Sequence, residues 1–95
     1  MVRSLVPLIF IAATANVQLI KGEFRDGKQM LTVKNTGPAT IKRVHVNCGF
    51  FRDNVLVDTH GATFENLLPN QAGNNYTVTD ATGVTSVDCR IDDVY

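Results

Sequence analysis

Between Thr40 and Arg52 the chain alternates. Val44, Val46, Cys48 and Phe50 fall on one face of an extended run, while Lys42, Arg43, His45 and Asn47 are most of the polar residues set among them. A period of two sends successive side chains to opposite sides of a sheet, so this run predicts a half-buried strand and leaves little room for a helix. The same reading extends along the chain. Lys28–Asn35 sets Met30, Thr32 and Lys34 against Gln29, Leu31 and Val33. Val55–Val57 makes a short return strand after the turn residues Asp53 and Asn54, and Ala62, Phe64 and Leu67 continue an extended stretch to Pro69. Tyr76 and Val78 mark the next strand, and Val87, Cys89 and Ile91 share a face of the last, from Val84 to about Val94.

Between these runs stand Asp26-Gly27, Thr36-Gly37-Pro38, His60-Gly61, Pro69 to Gly73 and Thr82-Gly83. Glycine admits positive φ and proline pre-sets φ for a turn, so each reads as a chain reversal. Short strands at such spacing predict an all-β sandwich of about six to seven antiparallel strands.

Cys48 shares its face with Val44, Val46 and Phe50, and Cys89 shares its face with Val87 and Ile91. Both point inward if the pattern holds, and their separation is unlike the C-x-x-C spacing of redox or zinc sites. A disulfide between them is the expectation, in an oxidising compartment. Closing a loop of about 40 residues is worth about 4 kcal/mol in the chain-entropy model.

The first fifteen residues differ from the rest. Arg3 is the sole charge before Lys21, Leu5–Ala13 is an apolar run of nine, and Ala13-Thr14-Ala15 has small residues in A-x-A spacing. A positive start, a brief apolar core and such a site describe a secretory signal peptide cleaved after Ala15, with the β-sandwich domain from 16 to 95. The run is shorter than the about 20 apolar residues a spanning helix needs, so no stable membrane span is expected after cleavage. Two other readings stand beside it: a buried first strand over Val6–Ile11, or an uncleaved apolar anchor.

Nine basic residues balance nine acidic ones, interspersed along the chain. That distribution lacks the clustered basic surface of nucleic-acid binding and the polybasic patch of lipid binding.

Leu31-Thr32-Val33-Lys34-Asn35-Thr36-Gly37, then Ile41–Phe51, then Asn66-Leu67-Leu68-Pro69-Asn70-Gln71 resemble small bacterial Ig-like sandwich domains of the FxLYD and CARDB type over about Leu31–Asp93. The resemblance implies that the Val44–Phe50 strand lies beside the Val84–Ile91 strand, which would let Cys48 meet Cys89. It also implies a binding, spacer or surface module without a shared catalytic site, at the level of fold only.

Catalysis would need a nucleophile, a base and a group that orients the base. His45 alternates with core positions and should face solvent, and His60 precedes Gly61 in a predicted turn. Asp53, Asp58, Asp80, Asp92 and Asp93 are scattered without the D-x-D-x-D-G spacing of a calcium loop. No catalytic, cofactor-binding or metal-binding residue is assigned. Asn75-Tyr76-Thr77 fits a glycosylation sequon, meaningful only in a eukaryotic secretory pathway. Phe51, outward beside Arg52, is the candidate contact surface.

The expectation is an exported, non-enzymatic module, periplasmic or secreted, that binds an unknown protein or glycan. The alternatives are a structural subunit of a surface filament or envelope assembly retaining its apolar N-terminus, and a small hydrolase or its inhibitor.

Overall fold

A computed structural model describes residues 10–14 and 16–95. Seven strands follow one another: β1 (Phe10–Thr14), β2 (Val17–Arg25), β3 (Lys28–Asn35), β4 (Ile41–Arg52), β5 (Val55–Leu67), β6 (Ala72–Val78) and β7 (Ser86–Val94). They build two antiparallel sheets, one of order β1-β2-β3-β6 and one of order β5-β4-β7. The all-β two-layer expectation holds.

Alternation decides what lies between the layers. Val17, Leu19, Leu31 and Val33 come from the first sheet; Val44, Val46, Cys48, Phe50, Ala62, Phe64, Val87 and Cys89 come from the second. Phe50 is fully buried, with the Phe24 ring 5.9 Å away, centroid to centroid. Aromatic payloads of this kind dominate a small core.

Two hairpins are tied by two-residue turns in the left-handed region. Asp26 and Gly27 have φ of 54° and 76°, and Asp53 and Asn54 have φ of 50° and 70°. That geometry matches the right-handed twist of the strands it joins. It sets Arg25 opposite Lys28, and Arg52 opposite Val55.

Where the chain changes sheets after β3, Asn35 is the fastener. Its fully buried side chain donates to the carbonyls of Ala39 (2.8 Å) and Leu67 (2.9 Å) and accepts from the Gly37 amide (2.9 Å). Its amide donates to Gln71 O, and its carbonyl accepts from Asn70. A buried amide so satisfied stabilises the fold; one left unpaired would cost it. Gln29, also buried, donates to Gly22 O at 2.8 Å, where the β2–β3 register shifts between Lys21 and Phe24.

Two details differ from the sequence expectations. Val55–Val57 and Ala62–Leu67 are one strand, so His60-Gly61 is no turn: His60 pairs with Cys48 and Gly61 with Asn47 inside β5. Val17–Arg25, for which no strand is foreseen, forms β2; its bulge breaks the alternation that would reveal it. The strand marked by Tyr76 and Val78 is β6, where both lie on the outer face, about half exposed.

Of the N-terminal segment, Phe10–Thr14 forms the edge strand β1, with Thr14 opposite Val17 and Phe10 opposite Ile20. The remainder of the 1–15 signal-peptide assignment, and most of the Val6–Ile11 alternative, lies outside the described residues.

Candidate functional site

The disulfide is closed between Cys48 and Cys89, side by side in the β4–β7 register. The two residues are 1% and 2% exposed, so the sulfurs are sealed between the layers and act as structure. A closed disulfide fits an oxidising environment outside the cytoplasm.

The outer face of the β5-β4-β7 sheet carries the candidate contact surface. Phe51 stands opposite Leu56 across the hairpin. Both approach Gly49: a Cβ there would meet Leu56 Cδ1 at 3.1 Å and Phe51 Cε1 at 3.2 Å. The missing side chain therefore leaves a notch over which an aromatic ring and an aliphatic branch converge. Asn47, Thr59, Asp88, Arg90 and Asp92 are among the other residues lining this open depression of about 240 Å³. Leu56 is 53% exposed, so the aliphatic half of the pair is open to solvent.

Arg52 is engaged differently. Its Nε donates to Thr82 O at 2.9 Å, and the Phe51 carbonyl accepts from the Thr85 amide at 2.8 Å. Thr85 Oγ1 accepts from the Asp53 amide at 2.9 Å. Arg52 thus anchors the 79–85 loop and braces the hairpin that presents Phe51. The sequence singles out Phe51 and Arg52; Leu56 and the charged rim of β7 emerge from strand register, and the notch at Gly49 from the side chains that meet over it.

The two histidines lie apart. His45 Nδ1 is 3.1 Å from Thr63 Oγ1, and its ring meets Tyr95 edge-on at 6.1 Å. His60 Nε2 donates to Asp58 Oδ2 at 2.9 Å, and the Thr79 hydroxyl donates to the same oxygen. The Thr79 hydroxyl bond holds the Asp58 carboxyl below the usual carboxylate range against the opposing effect of partial burial, and His60 and the Thr59 amide reinforce it. This cluster joins a hydroxyl, a carboxylate and an imidazole, yet the hydroxyl bonds the carboxylate directly. Acyl-transfer chemistry needs the hydroxyl on the imidazole. The arrangement is a clasp between β5 and the chain leaving β6.

Among the described residues, no three His, Cys, Asp or Glu side chains converge as metal ligands, and no helix is long and apolar enough to cross a membrane. Comparison with known proteins gives no matching family model, no matching curated protein and no matching solved structure.

Proposed function

We propose that this chain is an exported, non-enzymatic β-sandwich module, periplasmic or secreted, that binds a protein or glycan through the outer face of the β5-β4-β7 sheet. The observation that carries the reading is the half-buried Phe51 ring and the exposed Leu56 side chain converging over Gly49, an apolar centre with a polar and charged rim. Central aromatic and aliphatic anchors inside a polar rim are the usual anatomy of a binding patch. The buried disulfide and the signal-like start support the location.

The test compares native protein with Phe51→Ala and Leu56→Asp. Both positions are outside the core, so the variants should keep the native circular dichroism and melting temperature. Bait is immobilised at micromolar concentration and exposed to periplasm or culture medium, and to a glycan array. Specific capture lost in both variants is the expected result. No specific capture by the native protein, or capture unchanged in both variants, would refute the proposed surface.

The second reading, a structural subunit retaining its N-terminus, is favoured by the pairing of Phe10–Thr14 with β2. N-terminal sequencing of the exported protein separates the two. A start at Asn16 supports the soluble module, and a start at Met1 or Val2 supports the subunit.

A further inference from the structure

We infer that the edge of β2 at Val17–Ile20 is an acceptor slot for a short apolar strand, and that in a chain cleaved after Ala15 it takes that strand from another protein. The inference rests on the export reading above. Two halves of β2 differ. Lys21–Arg25 carries Lys21, Glu23 and Arg25 together with the register shift before Phe24. Charges and bulges are how sheet edges resist unwanted pairing. Val17–Ile20 has neither defence; its only polar residue is Gln18.

That undefended half is where β1 sits. Ala12, Ala13 and Thr14 pair antiparallel with Leu19, Gln18 and Val17, and Phe10 pairs with Ile20. β1 also lies against β7, covering the side of the sandwich where β2 and β7 approach and where Lys21 Nζ donates to Val87 O. Cleavage after Ala15 would cut between the two paired strands and remove β1. The backbone groups of Val17–Ile20 that had faced it would then lack partners. An incoming strand satisfies them through main-chain hydrogen bonds, which is the physics of β-strand addition. The occupant is defined by what fits in this structure: an extended, uncharged segment with small and apolar residues, antiparallel to β2.

Every buried core residue among those described lies between Val17 and Cys89, so a chain beginning at Asn16 carries all of that core. Hydrogen exchange would be compared between that chain and the full chain. The probe is a synthetic peptide of residues 8–14, with the same peptide N-methylated at alternate amides as control. In the shorter chain the β2 amides should exchange faster than in the full chain. The peptide should slow them by about the factor 1 + [peptide]/Kd, while the N-methylated peptide does nothing. Should the shorter chain fail to fold, Ala12→Pro in the full chain opens the same edge and serves in its place. Equal β2 protection with and without β1, or peptide protection on a different strand, overturns the slot. Intact mass of the exported protein tests cleavage separately: an uncut chain removes the need for a foreign strand while leaving the peptide result to judge the slot.

Discussion

Cys48 and Cys89 stand directly opposite each other on neighbouring antiparallel strands of one sheet, their Cα atoms 4.0 Å apart. The bridge therefore links β4 to β7 within a layer. It fastens the final strand, which follows a sheet change, to the central strand of its sheet.

Loss of that bridge should be the most damaging single chemical change to stability. Removing a loop constraint spanning 41 residues costs about 4 kcal/mol, which for a domain of this size lowers the melting temperature on the order of 20 °C. Cys89→Ala and reduction of the native protein should both show it by calorimetry. Because both cysteines are buried, dithiothreitol should reduce the folded protein far more slowly than the protein in denaturant. Two free thiols in the exported protein would contradict the account.

Asn35 should tolerate replacement poorly although it sits beside a turn. Asn35→Ala removes three side-chain hydrogen bonds from a fully buried position. It strands the carbonyls of Ala39 and Leu67 and the amide of Gly37, a cost of about 3 kcal/mol at roughly 1 kcal/mol per bond. Urea unfolding should show a lower midpoint at unchanged slope. A loss below about 1 kcal/mol would mean that water replaces all three bonds.

How much of this was legible depended on whether local pattern and tertiary pairing agreed. β4 alternates cleanly, so its buried face, including Cys48, can be read directly. β2 contains a bulge that Gln29 satisfies from the neighbouring strand, so its pattern slips midway. β5 is a long edge strand that keeps polar His60 and Gly61 in register with Cys48 and Asn47, which in sequence look like a reversal. At the site, the Phe51–Leu56 pair follows from the register that the two-residue Asp53-Asn54 turn imposes. The notch at Gly49 does not, because it is defined by side chains arriving from two strands. Asn35 looks like an ordinary turn residue, since its partners Leu67 and Gln71 are remote in the chain.

Gly27→Ala should destabilise by more than the usual cost of forcing a side chain into the left-handed region. Gly27 has φ of +76°, and an added Cβ would lie 2.8 Å from the Thr79 carbonyl oxygen. That carbonyl cannot simply withdraw, because the Thr79 amide is bonded to Gly27 O at 2.8 Å. Strain and clash together should cost about 2 kcal/mol or more. Asp26, at φ of 54°, meets only the first penalty, so Asp26→Gly should be neutral or mildly stabilising in the same thermal melt.

The Asp58 clasp gives the fold an acid-sensitive joint. Its carboxyl is held below the ordinary range chiefly by the Thr79 hydroxyl, with His60 adding to the effect. A carboxylate whose folded-state pKa lies below its unfolded value, about 3.9 for Asp, binds fewer protons when folded. Its contribution is therefore fully present above the unfolded value and is lost as pH falls through the lower folded one. Asp58→Asn and Thr79→Val should each flatten the acid limb of stability against pH below about pH 4, and the double variant should add little to either single change. Lys21, which bonds Val87 O on the opposite side of the sandwich, presents no carboxylate, so Lys21→Met should leave the shape of that acid limb intact. Parallel acid limbs for native protein and Asp58→Asn would remove Asp58 as the source.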